Sequence, residues 1–138
     1  MNDTSPIPPP AHVHPAMLWS GRVLSALVVL GLTFSAVLKL LAPEFILKEF
    51  DRLGYHQEHA LGVGVLELVC MILYAIPQTS ILGAVLLTGY LGGATATHVR
   101  IGDNFASPVV FGVLVWLGLY LRDRRWWPLL PLRRPGRM

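Results

Sequence analysis

Between Leu53 and Val99 the chain carries only two Asp, Glu, Lys or Arg residues, Glu58 and Glu67. A soluble domain of 138 residues could not easily cover so long an uncharged stretch with polar surface. Over the whole chain 54% of the residues are apolar and 14% are charged, against about 25% charged in ordinary soluble proteins. The sequence therefore indicates a protein that lies in a lipid bilayer.

Four apolar segments are long enough to cross a bilayer as helices. They cover approximately residues 23–41, 60–76, 81–97 and 105–121. The first segment, with 19 residues, rises about 28 Å as a helix, which nearly matches a hydrocarbon core of about 30 Å. The alternation typical of a membrane barrel is missing from the sequence, and backbone groups in lipid must bond within their own segment. The turn at 77–80 is too short for anything except a hairpin. We therefore predict an all-α fold, an integral membrane antiparallel four-helix bundle.

The segments outside the spans complete the predicted organisation. Residues 1–21 form a proline-rich lead that we expect to be mostly irregular, residues 22–122 the four-span membrane domain, and residues 123–138 a tail rich in Arg, Pro and Trp. In the loop between the first two spans, residues 43–53 place apolar side chains three to four positions apart, which predicts a short helix on the membrane surface. Ser107 is expected to cap the fourth span, with Pro108 in its first turn.

The distribution of basic residues predicts the orientation. Arg22 and the six arginines between residues 122 and 137 lie on the side of the two termini, whereas only three basic residues, Lys48, Arg52 and Arg100, lie on the other side. By the positive-inside rule both termini are cytoplasmic. The arginine-rich tail follows a span directly, which favours an anchor at the lipid surface over a nucleic-acid partner.

Ionisable residues that are far apart in sequence meet at the outer leaflet in this topology. A charged side chain in the middle of a span costs about 2.5–3.5 kcal/mol, so Lys39 and Glu67 are expected to face inward and to pair. The hydroxyls of Tyr74 and Tyr90 are expected deeper in the bundle. The predicted site comprises Lys39, Glu67, Tyr74, Tyr90, His98, Arg100 and Asp103.

Two interpretations of this cluster remain open from the residues. In the first, the pairs Lys39–Glu67 and Arg100–Asp103 only fix the helix register. In the second, the cluster binds a ligand with an apolar body and a polar head, such as a membrane quinone. Glu67 and His98 are then the candidate catalytic residues, and Arg100 or Lys39 would bind an oxygen of the ligand.

Metal and cofactor signals are weak in the sequence. His56 and His59 are three positions apart and could join His98, but no third and fourth ligand follows at a recognisable spacing, so no metal site is predicted. We find no haem, flavin or iron–sulfur motif, no phosphate-binding loop and no nucleophile elbow. The single cysteine, Cys70, excludes an internal disulfide.

A resemblance to a known family rests on three groups of residues. They are Gly31, Lys39-Leu40 and Pro43 around the end of the first span, Glu67 in the second, and the H-x-R-x-G-D turn over 98–103. With these residues the chain resembles the DoxX-like family of small four-helix membrane proteins over about residues 22–126. The resemblance implies a multi-pass protein of a prokaryotic plasma membrane, similar to the DoxD and DoxX subunits linked with thiosulfate:quinone oxidoreductase and quinol oxidase in archaea.

Three functions follow from the residues and the resemblance together. The first is a quinone-linked redox accessory subunit with a redox partner, in which His98 and Arg100 hold the head group and Glu67 relays a proton. The second is a non-enzymatic membrane scaffold whose ion pairs are structural. The third is a small-solute carrier, which would require a homo-oligomer because one bundle has little interior. The residues alone do not decide whether the protein is an enzyme.

Overall fold

The computed structural model describes residues 15–123, and it folds them into five helices. No strand occurs in this range, so the all-α prediction is confirmed. Residues 1–14 and 124–138, which hold most of the predicted lead and tail, lie outside the described residues. The helices are α1 (Pro15–Leu41), α2 (Glu44–Arg52), α3 (His59–Ala75), α4 (Ser80–Arg100) and α5 (Ala106–Arg122).

The helix bounds differ from the predicted spans at two places. Helix α1 begins at Pro15 rather than near residue 23, because proline is tolerated in the first turn of a helix and Arg22 packs its guanidinium 5.8 Å from the centre of the Trp19 ring. Residues 15–21 of the lead are therefore helical, where we expected irregular chain. Helix α4 extends to Arg100, three residues beyond its predicted end, so His98 lies on the helix instead of closing it.

The predicted capping residue of α5, Ser107, is wrong. Ser107 makes no capping bond, and the first turn is held instead by Asn104, whose Oδ1 accepts the backbone N–H of Ala106 at 2.9 Å. Pro108 lies in the first turn as expected, where its missing N–H leaves no broken bond. The predicted short helix over 43–53 is α2, and the turn between α3 and α4 closes the predicted hairpin.

The four long helices pack as a ring in which α1 and α4 each contact α3 and α5. Three glycines mark close approaches between neighbouring helices. A Cβ on Gly21 would lie 2.5 Å from the backbone nitrogen of Arg122 at the far end of α5, and one on Gly64 would lie 2.9 Å from Cβ of Lys39. Gly83 lies directly against the backbone of Tyr74. In each case the start of one helix meets the end of its neighbour.

One end of the ring is closed by a buried tyrosine. The Tyr74 side chain is completely buried, and its hydroxyl donates to the carbonyl oxygen of Val115 at 2.9 Å and lies 3.2 Å from the hydroxyl of Ser25. Arg122 donates to the carbonyl oxygen of Tyr74 and lies 4.9 Å from its ring. These contacts join α1, α3 and α5. Together with the apolar core around Val28, Leu87 and Leu119 they fill the interior of the ring at this end.

Two helices, α1 and α4, are long and apolar enough to cross a membrane. Helices α3 and α5 are also apolar but have 17 residues each. The crossing of a bilayer by all four helices remains a prediction.

Candidate functional site

A cavity of about 880 Å³ lies between the four long helices at the end of the ring next to α2. Its walls are mainly apolar, with contributions from Phe50 of α2 and Phe111 of α5. A small number of polar side chains line it, which is the composition of sites for small apolar ligands with a polar group. These polar lining residues are Ser35, Lys39, Tyr55, Glu67, Tyr90, Thr97, His98, Asn104 and Ser107.

The buried charges of the cavity are Lys39 and Glu67. Nζ of Lys39 lies 2.9 Å from Oε2 of Glu67, and Glu67 is only 1% exposed. Ser35, one helical turn before Lys39, accepts a hydrogen bond from Nζ and donates to the same carboxylate oxygen at 3.3 Å. Tyr90 of α4 lines the same cavity. The expected Lys39–Glu67 pair is therefore present, and it places an ammonium, a carboxylate and two hydroxyls at the wall of one cavity.

His98 lines the part of the cavity nearer to α2. Its ring contacts Asp103, which lies outside the lining. Nδ1 of His98 lies 3.2 Å from Oδ2 of Asp103. The same oxygen accepts from Arg52 at 2.6 Å, while Oδ1 accepts the backbone N–H of Asn104. Arg52 also forms an ion pair with Glu49. Helix α2 is thus attached to the end of α4 through Asp103.

The contacts within α2 and between α2 and the α4–α5 turn lower the pKa values of two carboxylates, Asp103 and Glu49. The Arg52 guanidinium, the Asn104 N–H and His98 together lower the pKa of Asp103 from its ordinary value of 3.8 to about 2. Arg52 also lowers the pKa of Glu49, against an opposing effect of burial. Both carboxylates are therefore ionised at neutral pH.

Arg100 does not pair with Asp103, in contrast to the interpretation in which that pair fixes the helix register. Arg100 donates instead to the carbonyl oxygen of Leu53 at 2.6 Å and lies 5.8 Å from the ring of Tyr55. The hydroxyl of Tyr55 lies 2.9 Å from Oγ1 of Thr97. The reason is the position of Arg100 in the last turn of α4, next to the residues that follow α2. Arg52 of α2 occupies the Asp103 carboxylate instead.

The structure brings together four of the seven predicted site residues. Lys39, Glu67, Tyr90 and His98 line the cavity, whereas Arg100 and Asp103 lie outside its lining and hold α2 in place. Tyr74 also lies outside the lining, in the closed end of the ring. Sequence reasoning missed Ser35, although its position four residues before Lys39 puts both on one helical face.

The two weak metal candidates gain no support. His56 and His59 are exposed, with their ring centres 5.9 Å apart at a steep angle. Within residues 15–123 no three His, Cys, Asp or Glu side chains are grouped closely enough to hold a metal ion.

The fold and the cavity together define a small helical protein built around an internal, mainly apolar site with a buried ion pair. The sequence profile of the DoxX-like family matches residues 23–118, from α1 into α5, and the chain belongs to this family. The family is membrane-associated. Comparison with curated proteins gave no match, and comparison with solved structures gave none either.

Proposed function

We propose that this chain is a four-span membrane protein that binds a membrane quinone in its cavity and serves as an accessory subunit of a quinone-linked redox enzyme. The observation that carries the proposal is the cavity itself. It has room for a substituted ring and part of a tail, and its apolar walls contain one cluster of proton-exchanging groups.

The outer surface of the ring supports insertion of all four long helices. Large apolar side chains point away from the bundle on α3 and α5 as well as on α1 and α4, for example Phe34 at 67%, Leu61 at 57%, Leu82 at 52% and Val113 at 60% exposure. An exposed apolar surface of this extent is unusual on a soluble monomer. Seventeen residues are also at the lower limit for a membrane-spanning helix.

The balance of basic residues supports an orientation with both termini in the cytoplasm of a prokaryotic cell. Helix α2 then lies at the outer surface of the plasma membrane. The cavity, which α2 borders, opens at the level of the outer leaflet, where the head group of a membrane quinone resides.

The lining groups suit the chemistry of a quinone head group. The ammonium of Lys39 and the hydroxyl of Tyr90 can donate hydrogen bonds to a carbonyl oxygen. Reduction of a quinone to a quinol requires two protons and two electrons. Glu67 and His98 would supply or remove the protons, while the electrons would come from a redox partner subunit.

Equilibrium binding of a short-tailed quinone, decylubiquinone or a menaquinone analogue, to the purified protein in lipid nanodiscs tests the proposal. Wild-type protein should bind one of the two. Glu67→Gln should raise the Kd about tenfold, because it removes the carboxylate that holds the Lys39 ammonium in place and the charged hydrogen bond from that ammonium to the quinone carbonyl is worth about 1.5–3 kcal/mol. The matched control is Glu44→Gln, an exposed carboxylate on α2 paired with Lys48, which should leave the Kd unchanged. Absence of binding to wild-type protein would contradict the proposal.

The closed contact among Lys39, Ser35 and Glu67 favours a second function, a non-enzymatic scaffold in which the ion pair is structural. In that case Glu67→Gln should lower the unfolding temperature while quinone-linked turnover in membranes stays at the wild-type level. A loss of turnover in folded Glu67→Gln protein would exclude the scaffold.

A further inference from the structure

A chain of alternating charges runs from the outer helix α2 to the wall of the cavity. Glu49 pairs with Arg52 on α2, Arg52 contacts Asp103 at 2.6 Å across the gap to the α4–α5 turn, and Asp103 contacts His98 at 3.2 Å. His98 is the last member of this chain and the only one that lines the cavity. It is therefore the point where the outer surface and the cavity meet.

The contact with Asp103 selects one form of the His98 ring. A carboxylate only accepts hydrogen bonds, so Nδ1 must carry the proton that points to Oδ2 of Asp103. In the neutral ring Nε2 then has no proton and acts as an acceptor. Without Asp103 the proton could move from Nδ1 to Nε2, or the ring could rotate. Among residues 15–123 no other side chain forms a hydrogen bond with this ring.

We propose that Asp103 is a positioning residue for His98, holding Nδ1 so that Nε2 meets the polar head of the ligand in the cavity. This inference rests on the proposed function for the identity of the ligand, but the orientation of His98 does not depend on it. The ligand class follows from the acceptor, since Nε2 binds a head group that bears a hydroxyl hydrogen. A quinol has such a hydroxyl, and the carbonyl of a quinone does not.

Arg52 has a different role in the same chain of charges. It shares Oδ2 of Asp103 with His98 and attaches α2 to the turn, but it forms no hydrogen bond with the imidazole ring. Substitution of Arg52 therefore breaks the attachment and leaves the partner of His98 in place. This separates a positioning effect from a loss of packing at α2.

The first test is nitrogen-15 NMR of histidine-labelled protein in nanodiscs without added ligand, with His98→Gln to assign the signal. At a pH where the ring is neutral, wild-type protein should show the proton on Nδ1. Asp103→Leu should lose this signature, Asp103→Glu should restore it and Arg52→Gln should retain it. A proton on Nε2 in the wild type, or an unchanged signal in Asp103→Leu, would overturn the inference.

The second test is the Kd of decylubiquinol in the same nanodiscs. Asp103→Leu should weaken binding about fivefold to tenfold, with Asp103→Glu and Arg52→Gln within about twofold of the wild type. Equal weakening by Arg52→Gln would show that α2 packing, not His98 orientation, controls binding and would overturn the inference. If wild-type protein binds neither quinone nor quinol, the proposed function fails, and the NMR result still decides the role of Asp103.

Discussion

At the scale of single residues, the decisive feature is an ion pair in an apolar wall. Glu67 is buried and Lys39 is close to buried, with 17% of its side chain exposed. Each charge offsets the desolvation of the other, and Ser35 supplies hydrogen bonds to both. The pair is thus tolerated in a place where either charge alone would be costly.

Removal of one partner should therefore cost more than removal of both. Lys39→Met leaves the Glu67 carboxylate without its cation and should lower the free energy of unfolding by about 3 kcal/mol, whereas Lys39→Met/Glu67→Gln should recover a large part of that loss. Denaturant titration in detergent micelles measures both values. A double variant that is less stable than Lys39→Met would contradict the pairing.

Asp103 predicts a pH dependence of stability. Its pKa is about 2 in the folded protein, below the ordinary value of 3.8, so the folded state binds this proton less readily than the unfolded state does. The stabilisation is complete above the ordinary pKa and is lost as the pH falls from about 4 toward 2. Glu49, whose pKa is also lowered, acts in the same direction.

The comparison of wild-type protein with Asp103→Asn isolates that contribution. The wild type should have the higher unfolding temperature at pH 6, and the difference between the two should shrink as the pH is lowered toward 2. Thermal unfolding in detergent across this range measures it. A difference that stays constant down to pH 2 would show that the Asp103 charge contributes nothing to stability.

At the scale of elements, close packing of the α3–α4 hairpin depends on Gly83. A Cβ at this position would collide with the backbone of Tyr74, which cannot move aside as a flexible side chain could. Gly83→Ala should lower the free energy of unfolding by about 1–3 kcal/mol. Gly92→Ala on the same helix, where nothing lies within 4 Å of the added carbon, is the matched control and should be neutral or slightly stabilising. Equal effects of the two would contradict the packing.

The elements show which features could be predicted from sequence. The hairpin and α2 followed from local signals, a four-residue turn and an apolar repeat, that do not depend on the rest of the fold. The partners of Arg100 and Asp103 could not be predicted, because Arg52 is 51 positions from Asp103 and only the docking of α2 brings them together.

At the scale of the whole molecule, the proposed topology places the two connections of α3 on opposite sides of the membrane. In a Cys70→Ala background, Lys48→Cys on α2 should react in intact cells with a maleimide that does not cross membranes. Gln78→Cys in the α3–α4 turn should react only after permeabilisation. If α1 and α4 alone crossed the bilayer, both positions would lie on one side and would react alike.

The topology of the whole bundle explains why part of the site could be predicted from the sequence. The predicted antiparallel topology was sufficient to bring Lys39, Glu67, Tyr90 and His98 to one cavity from three helices. The topology could not show that the Tyr74 hydroxyl bonds to Ser25 and Val115 in the closed end. Those contacts depend on the rotation of each helix about its axis, and a helix with apolar residues on all sides gives little indication of that rotation.

We propose that the cavity between the four long helices holds a quinone. Photo-crosslinking with an azido-quinone in nanodiscs, followed by peptide mapping, tests it most directly. The label should fall on cavity residues of α4 such as Tyr90 and Ala94, and excess decylubiquinone should displace it. Labelling confined to lipid-facing residues such as Leu82 and Val113, or labelling that decylubiquinone does not displace, would contradict the claim.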